Sequence, residues 1–402
     1  MLRRLLFLLF LGLALTVVVR AQGLPPVAPA AAGLDETELR GATELLTQFV
    51  AEQKIAGAVA AVARRGRLAY FEAVGVQDLD TKAPMSERSV FRIYSMTRPI
   101  TAVAAMMLHE EGKFRLDDPI AKYLPEFQTI QVATPDGPRK PARAITVEHL
   151  LLHTSGINDR QTELYRRENV RSRAEPLRQL MANIVRVGLM EDPGTRFRYG
   201  ESTSVLGRLI EVWSGMPLDA FVESRLFKPL DMVDTGFVVR ADQRARWTTV
   251  YSFLKRGGLE VSEVEEIPFT ERPALLEGTV GLVSTVPDYL RFCQMLLNKG
   301  ELDGARVLKS QTVERMIANG LPDEVLQARR GNVGWGLINA NVTLDPASPL
   351  RGEYSWDGTA GTIFWIDPAR EMITLLFAPA RPSNPDGIRQ KFKAIVQRAI
   401  LN

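Results

Sequence analysis

The order of apolar and polar positions divides the chain into three stretches. After Asp35, a residue suited to cap a helix, Leu39, Leu45, Leu46 and Phe49-Val50 recur at helical spacing. The runs 57–64 and 67–74 are rich in residues that favour strands. They flank Arg65-Gly66, which predicts a hairpin. Ser95 or Thr97 then opens a strongly apolar helix that ends near Gly112. From 113 to 270 the pattern is mostly helix and loop, with helices expected over 146–153 and 204–214. Beyond Val280 it changes again. Helices are predicted over 286–297 and 311–318, short strands over 333–338, 361–367 and 372–378, and an amphipathic helix over 391–401. Helix and hairpin first, helices in the middle, strands and a helix last: this order predicts an α+β fold. One mixed unit, 34–402, would be interrupted by a helical insert at about 113–270.

The first residues carry a different pattern. Arg3 and Arg4 precede a run from Leu5 to Val19 broken only by Gly12 and Thr16, and Val19-Arg20-Ala21 places small residues at −3 and −1. That is the layout of a signal peptide over 1–21, and the run is shorter than the ~20 residues a spanning helix needs. A periplasmic or secreted protein is expected, with no stable membrane insertion once the leader is removed; a retained anchor is the alternative. No cysteine follows the run, so a lipid anchor on cysteine is excluded. Residues 22–33, rich in Pro and Ala, predict a flexible linker.

Composition narrows the chemistry. A hydrophobic share of 46% with 24% charged residues is that of a globular protein and excludes disorder. The formal charge of +3 is matched by Arg3, Arg4 and Arg20. The remainder is neutral overall and has no electrostatic footprint for nucleic acid. A single cysteine, Cys293, excludes an internal disulfide and a cysteine-based zinc site. The three histidines, His109, His149 and His153, form no metal-ligand pattern, so neither metal nor cofactor is expected. No serine has glycine at both −2 and +2, which removes the nucleophile elbow of α/β-hydrolases. No phosphate-binding glycine motif opens a helix either.

Ser95 heads a predicted helix, where unpaired backbone N–H groups can stabilise an oxyanion. Arg98 lies one turn further on the same face. Alone, that placement also suits a simple N-cap. The stretches SVFRIYSMTRPITAVAAMMLHEEGKFRLDDPIAKYLPEF, ITVEHLLLHTSGI, FRYGESTSVLGRLIEVWSGMPLDAFVESRLFKPLDMVDTGF, GLVSTVPDYLRFCQMLLNKGELDG and WDGTAGTIFWIDP go further. In order and spacing they resemble the serine β-lactamase-like superfamily, in its class C β-lactamase and family VIII esterase branch. The likeness runs from about Leu34 to Leu401.

The resemblance implies a β-lactamase/transpeptidase-like fold, an antiparallel sheet flanked by helices with a helical subdomain. It implies Ser95 as nucleophile and Tyr199 as the tyrosine of the second motif. Trp356-Asp357-Gly358 would be the third motif, and the N–H groups of Ser95 and Thr359 the oxyanion hole. His153, in the HTSG stretch, is expected to be structural. Two positions depart from the family. Arg98 replaces the catalytic lysine, and arginine, unlike lysine, is not deprotonated in proteins and cannot serve as a general base. Glu201 replaces an asparagine, and an Arg98–Glu201 ion pair in the cleft is expected. The literal Ser252-Phe-Leu-Lys255 is read as coincidence.

Trp356 stands where lactamases carry a lysine, which disfavours lactamase activity. The expected function is therefore an exported serine hydrolase of carboxylesterase type, acting on a small ester or amide through an acyl-enzyme on Ser95. The alternative is a catalytically impaired member that binds cell-wall fragments or another ester or amide ligand.

Overall fold

The computed structural model describes residues 23–254, 257–262, 268–329 and 331–401. The expected leader and Lys255 lie outside the described residues. Its centre is a seven-stranded antiparallel sheet. The strands are β1 (Gly57–Arg64), β2 (Arg67–Gly75), β3 (Val333–Gly336), β4 (Ala340–Thr343), β5 (Tyr354–Asp357), β6 (Thr362–Asp367) and β7 (Met372–Phe377), in the spatial order β2-β1-β7-β6-β5-β4-β3. β1 and β7 pair with Val59 opposite Phe377, so the two ends of the chain meet in the middle of the sheet. Every residue of β1, β6 and β7 is buried, which follows from helices covering both faces.

On one face pack α1 (Glu36–Ala51) and the last helix, Ile388–Arg398. They place Leu39, Leu46, Phe49, Phe392 and Val396 against Ala58, Ala60, Val62 and Leu376. The carboxylate of Asp35 caps α1 by accepting from the N–H groups of Thr37 and Glu38. On the opposite face, α2 (Thr97–Glu110) and the helix Val286–Leu297 bury Ile100, Val103, Tyr289 and Phe292 against Val59, Ala61, Phe364 and Phe377. Each strand residue therefore faces one core or the other, with period two.

Residues 113–246 form the helical part. It includes α3 (Val147–Leu151), α4 (Leu177–Val187) and α5 (Ser202–Ser214), the last packed on α2. The expected insert reached 270, but Tyr251–Phe253 and Leu259–Val261 are strands, joined by Ala380–Arg381 in a small three-stranded sheet. Ser252 lies on the first of these and not at a helix start. The segment expected as a flexible linker is docked instead. Val27 N–H donates to the Leu68 carbonyl, Leu24 is buried, and Pro29–Ala32 forms a 3-10 turn. Its prolines cannot donate to a ladder, but they suit the free edge beside β2. Gly33 and Leu401 close the ring of the chain, the Leu401 N–H donating to the Gly33 carbonyl at 2.9 Å. Among the described residues no helix is long and apolar enough to cross a membrane.

Candidate active site

Phe91–Arg92 pairs with Val283–Ser284, and the chain then turns sharply into α2. Tyr94 makes that turn with φ of +41°, a left-handed conformation costly for an aromatic residue. Burial and an edge-on contact with Phe269 at 5.9 Å hold it there. The result is that Ser95, half-buried among buried neighbours, opens into a cleft of about 310 Å³. Arg98, Arg160, Tyr199, Trp356, Asp357 and Thr359 also line this cleft. Thus the sequence-predicted residues Ser95, Arg98, Tyr199, Trp356 and Thr359, spread over more than 260 positions, come together here.

Gly358 adds a constraint rather than a surface. A side chain at this position would strike the Ile93 carbonyl at 2.4 Å, so only glycine lets the end of β5 press against the Ser95 turn. Arg389 of the last helix ties this corner down through Asp357 and through the carbonyls of Gly358 and Thr362.

Tyr199 is the centre of the polar contacts. Its hydroxyl receives the Trp356 indole N–H at 3.2 Å, and it lines the cleft together with Ser95. Burial pushes its pKa above the ordinary tyrosine value. The Arg98 charge, the Ser95 hydroxyl and the Trp356 N–H pull in the other direction without cancelling that effect. Trp335 meets Trp356 edge to face at 4.6 Å, and with Phe197 it builds an aromatic wall behind Tyr199.

Arg98 is locked beneath the phenol. Its guanidinium carbon lies 4.0 Å from the Tyr199 ring centroid, and Nη1 donates to the Gly200 carbonyl at 2.7 Å and to Thr203 Oγ1 at 3.1 Å. The expected ion pair with Glu201 does not form. The Gly200 carbonyl takes the guanidinium, and the next side chain turns into the interior. There Glu201 accepts from Ser204 Oγ at 2.6 Å and shares the Thr279 hydroxyl. It is fully buried and does not line the cleft, contrary to its expected place there. Burial and the nearby Glu277 raise its pKa. Glu277 goes the other way: burial alone would raise it, but Arg171, bound to it at 2.9 Å, Arg160 and Arg173 hold it down.

His153 is fully buried, and its Nε2 meets Asn339 Oδ1 at 2.9 Å. Asn339 donates its amide to the Leu151 carbonyl, which assigns the Nε2–H tautomer to His153. Burial, with Arg98 nearby, lowers its pKa well below the usual value, so it is neutral. Like Tyr94, both His153 and Asn339 have left-handed φ, +53° and +62°. Two left-handed positions thus back the phenol–guanidinium pair: the His153 ring lies 5.0 Å from that of Tyr199, and Asn339 bonds with His153 and Thr203. Asn339, Thr203 and Trp335 were missed by sequence reasoning. Thr203 lies two residues past the tyrosine motif, whereas nothing local marks Asn339 or Trp335.

The Beta-lactamase family model matches residues 42–397. Protein Rv1367c of Mycobacterium tuberculosis is 35% identical over 347 residues, covering 80% of this chain and 85% of that protein. Esterase EstB of Burkholderia gladioli is 28% identical over 378 residues, covering 87% of this chain and 92% of its own. Among solved structures, that of EstCE1, described as a hydrolase with promiscuous acyltransferase activity, superposes with a TM-score of 0.79 at 24% identity. It covers 91% of this chain and 99% of that one, which establishes the likeness of fold.

Proposed function

The chain belongs to the β-lactamase family, and from that footing we propose that it is an exported serine hydrolase of carboxylesterase type working through an acyl-enzyme on Ser95. The observation that carries the reading is that Ser95 and Tyr199 line one open cleft, with the Trp356 N–H on the phenolic oxygen. Tyr199 as phenolate takes the proton of Ser95 while Oγ bonds to the ester carbonyl carbon. The N–H groups of Ser95 and Thr359 receive the developing oxyanion. Collapse expels the alkoxide, which recovers the proton from Tyr199, and water then repeats the sequence on the acyl-enzyme. Arg98 donates only, so its part is to hold the phenol in place and to favour its ionised form through charge and cation–π contact. Trp356 offers no ammonium to a β-lactam carboxylate, which favours simple esters, and EstB is a named esterase of the same family.

Arg98 also favours a second reading, a member that binds an ester or amide without turning it over. A fluorophosphonate serine probe separates the two. Labelling of the wild type that Ser95→Ala abolishes supports the hydrolase; a wild-type protein that resists the probe selects the binding protein. Export rests on the pattern of residues 1–21. Fractionation with a leader-specific antibody tests it, and a cytoplasmic full-length chain would overturn it.

A further inference from the structure

A second hollow, about 500 Å³, opens directly from the cleft at Ser95: Arg160, Gln161 and Thr359 line both. Its remaining wall includes Tyr94, Arg166, Arg171 and Arg381, so four guanidinium groups line it and, among the described residues, no carboxylate does. The charges beneath offset only part of this. Glu277 lies buried behind the wall and binds Arg171 at 2.9 Å, with Arg160 at 3.6 Å. Arg166 and Arg381 form no ion pair among the described residues, and the first is exposed while the second is half-buried. A fork of planar donors matches the two oxygens of a carboxylate, and like charges crowded into one hollow are relieved by an anion.

We propose that this hollow is a subsite for an anionic group of the substrate, so that the preferred substrates are esters carrying a carboxylate remote from the scissile bond. The inference rests on the hydrolase reading of Ser95 and names its substrate class. Arg166 and Arg381 contact the remote carboxylate, while Arg160 and Arg171, already turned toward Glu277, supply field rather than direct contacts.

The test compares matched pairs of esters. p-Nitrophenyl hemiglutarate against p-nitrophenyl valerate carries the charge on the acyl side. 3-Carboxyphenyl butyrate against phenyl butyrate carries it on the alcohol side. At low salt one charged ester exceeds its neutral partner in kcat/KM by about tenfold or more, mostly through KM, and the side on which this occurs orients the substrate. Arg381→Gln and Arg166→Gln each shrink that ratio, the double variant brings it close to one, and Arg381→Lys restores part of it. High salt shrinks it as well. Equal turnover of both pairs, or a ratio that the arginine variants leave untouched, overturns the proposal. Should the wild type hydrolyse none of the four esters, the hydrolase reading falls by itself. The subsite is then decided by titrating Ser95→Ala with the same esters: tighter, arginine-dependent binding of a charged one supports it, and equal binding refutes it.

Discussion

A phenol serves as a base only as its phenolate, and Tyr199 is held mostly as the neutral phenol. Its pKa lies above the usual tyrosine value of about 10, because burial outweighs Arg98, Ser95 and Trp356. The phenolate fraction, and with it kcat/KM for a neutral ester, should climb close to tenfold per pH unit between pH 7 and 9 without levelling. Rates corrected with Ser95→Ala check this, and a plateau near neutrality would show that the cation beneath the ring wins over burial. Tyr199→Phe should lose most of the activity. The second residue-scale expectation concerns Arg98 and Glu201, which point apart. Arg98→Lys and Glu201→Gln should then act independently, the double variant's stability change equalling the sum of the singles within about 0.5 kcal/mol by denaturant unfolding. A larger coupling would mean that the two side chains meet in solution. The positions of Ser95, Tyr199, Trp356 and Thr359 were legible because each sits in a short motif. The Arg98 partner was not, since it is a backbone carbonyl. Which way residue 201 turns depends on Ser204 and Thr279, neither adjacent in sequence to Arg98.

Elements were legible where burial is two-sided or the cap is local. The helix Val286–Leu297 has the expected bounds, because Thr285 caps it by accepting the Asp288 N–H, and apolar residues fill its inner face. β1, β6 and β7 read as apolar runs, but β4 and β5 were missed. They are four residues each, and polar Asn341 and Ser355, both only half-buried, face each other on them, so neither strand reads as an apolar run. The Val286 helix carries its own prediction. Burial raises Asp288 to about 7, with Asp234 and Asp231 adding to the effect, although it accepts from Thr235 Oγ1 and the Asp234 N–H. A carboxyl that binds its proton more tightly folded than unfolded makes the protein lose stability as pH rises from about 4 to 7. Asp288→Asn keeps an acceptor for both donors and removes the charge. The variant should gain on the order of 2–4 kcal/mol over wild type at pH 8 and little at pH 4, read from urea midpoints. Equal gains or losses at both pH values would show that Asp288 does not titrate in this window.

At the scale of the whole molecule, the first hairpin cannot complete its sheet until the last strand arrives, since Val59 pairs with Phe377 and Ala61 with Leu375. Ser95, Arg98, Tyr199, Trp356 and Thr359 are all threaded between these partners, so closing the sheet carries a large loop entropy and folding should be slow. The hydrogen bond from Leu401 to Gly33 nevertheless brings these two distant positions side by side. The stretch from Gly33 to Leu401 thus nearly closes on itself. A circular permutant that joins Leu401 to Gly33 through a short Gly/Ser linker and starts at Pro138 would make β7, the last helix, α1 and β1 consecutive. The loop around Gly137 is suited to the new ends, being exposed on both sides, with open space where a Gly137 side chain would go. Such a chain should reach the same structure faster than the parent, its central strand pair having become a local contact.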